Sequence, residues 1–145
     1  YPQPRLTALY ATNQHPYSYS NITMYPELFT SALSEIKKMV EHATGERFTT
    51  CLLNLYRDGK DSNGWHADNE KELGKNPAIA SLSLGAERVF KLRNIADPKN
   101  QTKLTLASGS LLLMKGQTQH NWQHQIPKTA KNVGPRINLT FRKID

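Results

Sequence analysis

Cysteine is almost absent from this 145-residue chain, in which Cys51 is the only one. One cysteine cannot form an internal disulfide, so no such bond holds this chain together. Cys51 lies in an apolar run, which predicts a buried and inert thiol rather than a nucleophile.

Long apolar runs are also missing, because the longest extend over only a few residues, as in Leu111 to Met114. About 20 apolar residues are needed to cross a bilayer, and no charged-then-apolar leader opens the chain. We therefore expect a soluble, intracellular protein without a membrane partner, in the cytoplasm or, in a eukaryote, also in the nucleus. A monomer is the default expectation.

Acidic residues are fewer than basic ones, since 12 Asp and Glu against 19 Lys and Arg give a formal charge of +7. A basic balance favours a polyanionic partner such as nucleic acid, although charge that only keeps a protein soluble would look the same. The chain length suits one domain, 1–145, with a real hydrophobic core.

Helical periodicity is clear in one segment, from Glu27 to Thr44. Pro26 suits the first helical position and Gly45 suits the stop. The apolar positions at helical spacing are Leu28, Phe29, Leu33, Ile36, Met39 and Val40. The opposite, charged face has Glu35, Lys37, Lys38 and Glu41.

After Gly45 the period changes to two, which is typical of strands. The predicted strands are Phe48 to Tyr56, Ala78 to Leu84, Arg88 to Arg93, Lys103 to Leu106, Leu111 to Lys115 and Arg136 to Lys143. Turn signals, among them Asn63-Gly64, separate them. We predict a mainly β protein with a flanking helix (α+β), a double-stranded β-helix or jelly roll, with an immunoglobulin-like sandwich as the competing fold.

The tripeptide from His66 to Asp68 is the first candidate for chemistry. On an extended segment, residues two apart point to the same side, so an imidazole and a carboxylate can face one ion. Two histidines and one carboxylate are the ligand set of non-haem iron oxygenases. A lone HxD arises often by chance, and spacing alone leaves His120 and His124 open as the third ligand.

The C-terminal strand alternates strictly between apolar and polar residues. Its polar positions are Arg136, Asn138, Thr140 and Arg142. Such a row is often solvated, but two arginines beside an amide can also bind an anion, because guanidinium pairs with carboxylate through two hydrogen bonds. Asn54 and Tyr56 likewise share one face of their strand.

Several motifs in order resemble those of AlkB-type dioxygenases, in particular the DNA and RNA dealkylases of eukaryotic style. They are Asn54-Leu55-Tyr56, His66-Ala67-Asp68-Asn69-Glu70, the run Ile79 to Gly85, Trp122-Gln123-His124, and the run Pro135 to Arg142. The resemblance covers nearly the whole chain. It implies a domain made of a partial nucleotide-recognition lid (1–25), a supporting helix (26–45) and a jelly-roll core (46–145).

The resemblance also implies a role for each matching residue. His66, Asp68 and His124 match the catalytic iron ligands, which makes His120 a bystander. Arg136 and Arg142 match the arginines that hold the 2-oxoglutarate carboxylates. The groups that match other walls of that site are Asn54, Tyr56, Asn138 and Thr140. Glu70 matches the acidic residue that recognises the exocyclic amine of the target base. Tyr17, Tyr19 and Ser20 match the lid residues that contact the flipped nucleotide.

The implied reaction is oxidative dealkylation of bases such as 1-methyladenine and 3-methylcytosine in alkylated DNA or RNA. It requires Fe(II), 2-oxoglutarate and O₂, and yields succinate, CO₂ and formaldehyde. A wedge residue of duplex-acting members would fall at or before Tyr1, and Arg88, Arg93, Lys128 and Lys131 are candidate phosphate contacts. The alternatives are a dioxygenase for protein or a small molecule, and a binding module without catalysis.

Overall fold

The computed structural model describes residues 5–12, 17–19 and 22–144, with only the backbone described for 17–19 and 22. Its strands are β1 Leu6–Ala11, β2 Tyr17–Tyr19, β3 Ile22–Met24, β4 Glu27–Leu28, β5 Thr50–Tyr56, β6 Asn63–His66, β7 Ile79–Gly85, β8 Arg88–Asn94, β9 Gln101–Leu106, β10 Leu111–Met114, β11 Trp122–Ile126 and β12 Arg136–Arg142. Its helices are α1 Ser31–Thr44 and α2 Thr118–Asn121, with a 3₁₀ turn at Lys71–Leu73. Within the described residues, no helix is long and apolar enough to cross a membrane.

Two sheets form the body of the molecule. The larger has the order β10-β7-β12-β5-β1-β4 and the smaller the order β6-β11-β8-β9, while β2 and β3 form a separate hairpin. Side chains of both sheets meet in one core, since Leu52 and Ile79 of the larger sheet cluster with Phe90 and Ile126 of the smaller one. This is the predicted jelly roll with a flanking helix.

A second core lies between the larger sheet and helix α1, where Leu33 and Val40 of the helix pack with Cys51, Leu139 and Phe141 of the strands. The central strand β12 therefore buries both of its faces from Asn138 to Arg142, while Ile137 near its start is 40% exposed. Its polar positions, for which spacing left a solvated face and an anion-binding face open, are also buried and point into the space between the sheets.

Helix α1 begins four residues later than predicted. Thr30 caps it, because its Oγ1 accepts a hydrogen bond from the Leu33 N–H at 3.1 Å. Glu27 and Leu28 instead pair with β1, so the prediction that Pro26 opens the helix is wrong. The predicted stop is confirmed: Gly45 has φ 73°, and its N–H donates to Glu41 O at 2.9 Å.

The two faces of α1 were also partly misassigned. Met39, predicted to be in the core, is 70% exposed, whereas Glu41, predicted to face solvent, is only 7% exposed. The Glu41 carboxylate accepts a hydrogen bond from Phe48 N–H at 2.8 Å and pairs with Lys37 Nζ at 3.2 Å. It therefore supplies the acceptor that Phe48 needs as the chain leaves the helix.

The six predicted strands are confirmed to within two residues at each end. Strands β6 and β11 were missed, and the predicted turn at Asn63-Gly64 lies inside β6. Strand β6 is at the sheet edge, and its register with β11 is irregular between His124 and Ile126. Edge position and irregular pairing both tolerate glycine, which explains why a turn-like dipeptide occurs in this strand.

We expect Glu41→Ala to lower the free energy of unfolding by about 1–3 kcal/mol, because the buried Phe48 N–H loses its acceptor. Chemical denaturation checks this, with Glu35→Ala as the matched control on the exposed side of the same helix. Equal effects of the two substitutions would contradict the assigned role.

The same carboxylate makes stability depend on pH. Burial acts to raise the pKa of Glu41, but the Phe48 N–H and Lys37 together outweigh it and hold that pKa below its ordinary value. A lowered folded-state pKa stabilises the protein above the unfolded-state pKa of about 4.3, and this contribution is lost as pH falls through the folded value. The stability advantage of wild type over Glu41→Gln should therefore shrink below about pH 4.3.

Cys51 is fully buried, and burial raises the pKa of its thiol to about 12. The thiolate is the reactive form, so we expect iodoacetamide to modify Cys51 only after denaturation. Mass spectrometry of native and denatured samples at pH 8 measures this. Rapid modification of the native protein would refute the assignment of an inert core thiol.

Candidate active site

The pairing of strand β6, at the edge of the smaller sheet, with its neighbour β11 brings two histidines together. His66 ends β6 and lies directly opposite His124 of β11 in the antiparallel register. Their ring centroids are 4.2 Å apart, and the Phe90 ring stacks on that of His124 at a centroid distance of 5.2 Å. The spacing between the two histidines is thus fixed by strand pairing rather than by a loop.

Asp68 completes the cluster two residues beyond the end of β6. One candidate donor atom from each of His66, Asp68 and His124 lies within 4.8 Å of the others. The Asp68 Oδ1 to His66 Nε2 distance is 3.8 Å. His66 Nδ1 lies 2.7 Å from Gly64 O and donates to it, which places the imidazole lone pair on Nε2, the nitrogen that faces Asp68.

The environment favours the protonation states that bind metals. Burial, and after it the neighbouring His66, lower the pKa of His124 to about 3, although Asp68 opposes the shift. Burial also lowers the pKa of His66, although Asp68 opposes the shift. Burial acts to raise the pKa of Asp68, but nearby positive charge, above all that of the Arg142 guanidinium, outweighs it, so this pKa is lowered. Two neutral imidazoles therefore face one ionised carboxylate.

This cluster fits a divalent cation. Asp68 Oδ1 and His124 Nδ1 are buried, and neither has a hydrogen-bond partner within the described part of the chain. A buried polar atom without a partner is costly, and a metal ion would remove that cost. Two imidazoles and one carboxylate are a donor set suited to Fe(II), leaving further coordination positions open.

The polar face of β12 forms the adjoining wall. Its neighbours β5 and β7 place Asn54 and Ser83 on either side of Asn138. Asn138 Nδ2 donates to Ser81 Oγ at 2.6 Å, and Thr140 Oγ1 donates to Asn138 Oδ1 at 2.6 Å. This network orients the amide and hydroxyl groups of the wall.

Arg136 is the deepest cation of this wall, with 1% of its surface exposed. Its Nη2 donates to Ser83 Oγ at 2.8 Å, and its guanidinium lies 5.2 Å from the centroid of the Tyr56 ring. The Tyr56 side chain also interacts with this guanidinium, but Nε and Nη1 are buried without a well-formed hydrogen bond to any described residue. Burial lowers the pKa of Arg136, yet guanidinium stays charged in proteins, so an anionic ligand would satisfy it.

Arg142 connects this wall with the histidine cluster. It is 2% exposed, and its Nη2 donates to Asp68 Oδ2 at 2.9 Å. One oxygen of Asp68 is thus held by a guanidinium, while the other faces His66. All nine predicted metal and co-substrate residues line a single pocket: Asn54, Tyr56, His66, Asp68, His124, Arg136, Asn138, Thr140 and Arg142.

The predicted substrate residues are described less fully. Glu70 is half buried and directly precedes the 3₁₀ turn. Tyr17 and Tyr19 lie in strand β2, which pairs with β3, but their side chains are outside the described part, as is Ser20 entirely. His120 is exposed, does not belong to the cluster, and its Nε2 accepts from Asn76 N–H at 3.3 Å.

Arg88, one of the candidate phosphate contacts in the sequence, is buried in the structure. It is 3% exposed and donates to three backbone carbonyls, those of Asp58, Asp61 and Pro127. It therefore ties the loop before β6 to the end of β11, and it is not available for a phosphate. Arg93 is half exposed and lies over the Trp65 ring at 4.4 Å.

Sequence reasoning missed several supporting residues. Ser81 and Ser83 alternate in β7, which is a signal that could have placed them beside Asn138 and Arg136. Arg5 is 2% exposed and donates from Nε to Asn54 Oδ1 at 2.7 Å, and Gln119 accepts from the Asp68 N–H at 2.8 Å. Nothing local in the sequence marks either of these two contacts, since each partner is about 50 residues away.

Comparison with known proteins agrees with this architecture. The profile of the 2OG-Fe(II) oxygenase superfamily matches residues 4–142, and the chain belongs to that superfamily. A solved structure, described as the structure of OsALKBH1, aligns with a TM-score of 0.69 at 20% sequence identity, covering 94% of this chain and 77% of that one. At that identity the likeness supports the fold alone.

Curated relatives are more similar in sequence. The Alpha-ketoglutarate-dependent dioxygenase alkB homolog 3 of Bos taurus is 46% identical over 153 aligned residues, covering 99% of this chain and 53% of that protein. The DNA oxidative demethylase ALKBH2 of Homo sapiens is 39% identical over 149 residues, covering 97% of this chain and 57% of that protein. The chain spans about half the length of the curated relatives it matches.

We expect Arg136→Lys to weaken 2-oxoglutarate binding by about 10- to 100-fold, because a lysine cannot reproduce two charge-assisted hydrogen bonds. Calorimetric titration of the Mn²⁺-loaded protein measures the dissociation constant. Arg93→Lys, which changes a guanidinium outside the pocket, is the matched control. Equal affinity for wild type and Arg136→Lys would show that the co-substrate binds elsewhere.

Proposed function

We propose that this chain is the catalytic domain of an Fe(II)- and 2-oxoglutarate-dependent dioxygenase that removes alkyl groups from N-alkylated bases in DNA or RNA. The observation that carries the proposal is the single pocket in which a buried His-Asp-His cluster adjoins two buried arginines. A binding module without catalysis would have no use for this combination.

In this proposal His66, Asp68 and His124 hold the metal, and Arg136 and Arg142 bind the carboxylates of 2-oxoglutarate. Asn54, Tyr56, Asn138 and Thr140 line the co-substrate position. Bound Fe(II), with O₂ and 2-oxoglutarate, supplies the oxidation of the N-alkyl carbon, leaving succinate, CO₂ and, from a methyl group, formaldehyde. The protein contributes placement, charge and exclusion of water.

Substrate choice is assigned to groups outside the pocket core. Glu70 follows Asp68 by two residues, and its carboxylate would favour cationic bases such as 1-methyladenine and 3-methylcytosine over neutral ones. Tyr17, Tyr19 and Ser20, in the 1–25 segment, would contact the flipped nucleotide, and stacking on an aromatic ring contributes about 1–3 kcal/mol per base. The +7 net charge and the names of the relatives support a nucleic acid substrate.

The rival substrates are a protein or a small molecule, and neither accounts for the excess of positive charge together with Glu70. A nucleic acid substrate also implies an enzyme that works inside the cell. We propose that it acts as a monomer, since one chain can supply both the His-Asp-His cluster and the two arginines.

The test incubates the chain with Fe(II), ascorbate, 2-oxoglutarate and single-stranded oligonucleotides carrying 1-methyladenine or 3-methylcytosine. Mass spectrometry should show loss of the methyl group with wild type and no loss with Asp68→Ala, which lacks the carboxylate ligand. Asp97→Ala is the control. It changes an exposed aspartate that does not line the pocket, and it should retain activity.

Two results would contradict the proposal in different ways. Consumption of 2-oxoglutarate that no methylated oligonucleotide accelerates would exclude the nucleic acid substrate but leave the oxygenase. Absence of turnover with every substrate would contradict the catalytic assignment itself.

A further inference from the structure

Gln119 is among the most deeply buried polar side chains of the described residues, with 1% of its surface exposed. It lies in the short helix α2, between β10 and β11. Its Oε1 accepts a hydrogen bond from the Asp68 N–H at 2.8 Å, and its Nε2 lies 3.6 Å from Met114 Sδ. The side-chain amide thus spans the space between two residues that line the pocket.

The contact with Asp68 occurs where regular pairing has stopped. Strand β6 ends at His66, so the ladder with β11 does not extend to Asp68. The carboxylate end of Asp68 is held by Arg142, and the backbone end by Gln119. Because both the backbone and the carboxylate of Asp68 are held, the direction in which its Oδ1 points is fixed.

Gln119 also belongs to the segment that leads into the strand of His124. Helix α2 ends where β11 begins at Trp122, and His124 lies five residues after Gln119. One hydrogen bond therefore ties the loop of Asp68 to the chain segment that carries His124. A shift in either segment would change the spacing of all three candidate donor atoms.

We propose that Gln119 is a positioning residue that sets the Asp68 carboxylate for metal binding. The inference rests on the proposed function, because it takes His66, Asp68 and His124 as the metal site. Groups that orient metal ligands in this way typically change metal affinity by about 10- to 100-fold when they are removed. A purely structural role would instead lower stability and leave the affinity of the folded protein unchanged.

The test uses the metal-free chain and two variants that remove the acceptor. Gln119→Met keeps the length of the side chain, and Gln119→Ala leaves room for water if methionine does not fit. Calorimetric titration with Mn²⁺ gives the dissociation constant, and the visible absorption of the Co²⁺-loaded protein reports the ligand geometry. We expect weaker Mn²⁺ binding, by about 10- to 100-fold, and an altered Co²⁺ spectrum.

Thr49→Val is the matched control, because Thr49 Oγ1 also accepts a backbone hydrogen bond, from Ile144 N–H at 2.9 Å, outside the pocket. It should lower the melting temperature while leaving Mn²⁺ affinity unchanged. A folded Gln119 variant with wild-type affinity and spectrum would overturn the inference and leave the metal site intact. Failure of the wild type itself to bind either ion would overturn both.

Discussion

The buried ion pair between Arg142 and Asp68 is the contact on which the candidate site depends, because it joins the His66, Asp68 and His124 cluster to the polar wall of strand β12. Both side chains are almost fully buried, and Arg142 Nη2 lies 2.9 Å from Asp68 Oδ2. Removing two charges from water costs several kcal/mol per ion. The attraction between the two ions offsets this desolvation cost only when their geometry is good. Loss of either partner would leave an uncompensated buried charge. The pair therefore keeps Asp68 ionised and fixed in direction before any metal arrives.

Apolar packing elsewhere in the fold offsets the cost of this polar interior. Strand β12 carries Asn138 and Thr140 on its inner face and Leu139 and Phe141 on its outer face, and both faces are buried. Apolar burial beneath helix α1 and between the two sheets stabilises the fold, so the desolvated arginines and amides are tolerated. Helix α1 thus stabilises the strands that form the pocket, although none of its own residues, Ser31 to Thr44, lines that pocket.

Local patterning predicted much of this arrangement and missed what depends on distant contacts. Period-two alternation located six strands and separated the faces of β12, and the motif resemblance selected His124 over His120. Spacing could not reveal that the polar face is buried, because that requires the second sheet. The prediction of a turn at Asn63-Gly64 was wrong, because strand pairing at the sheet edge outweighs the turn propensity of these two residues. The contact of Gln119 with Asp68 joins residues 51 positions apart, and only the folded chain brings them together.

The charge balance of the pocket ties its two halves together. Among the described residues, its lining contains one carboxylate, that of Asp68, against two guanidiniums, those of Arg136 and Arg142, while the imidazoles are neutral. A divalent cation at the His66, Asp68 and His124 cluster would add further positive charge between buried groups. Coulomb interactions are strong there, so an anionic ligand with two carboxylates becomes more favourable once the metal is bound. The excess of arginine over carboxylate is therefore a reason why metal and co-substrate should bind cooperatively in this chain.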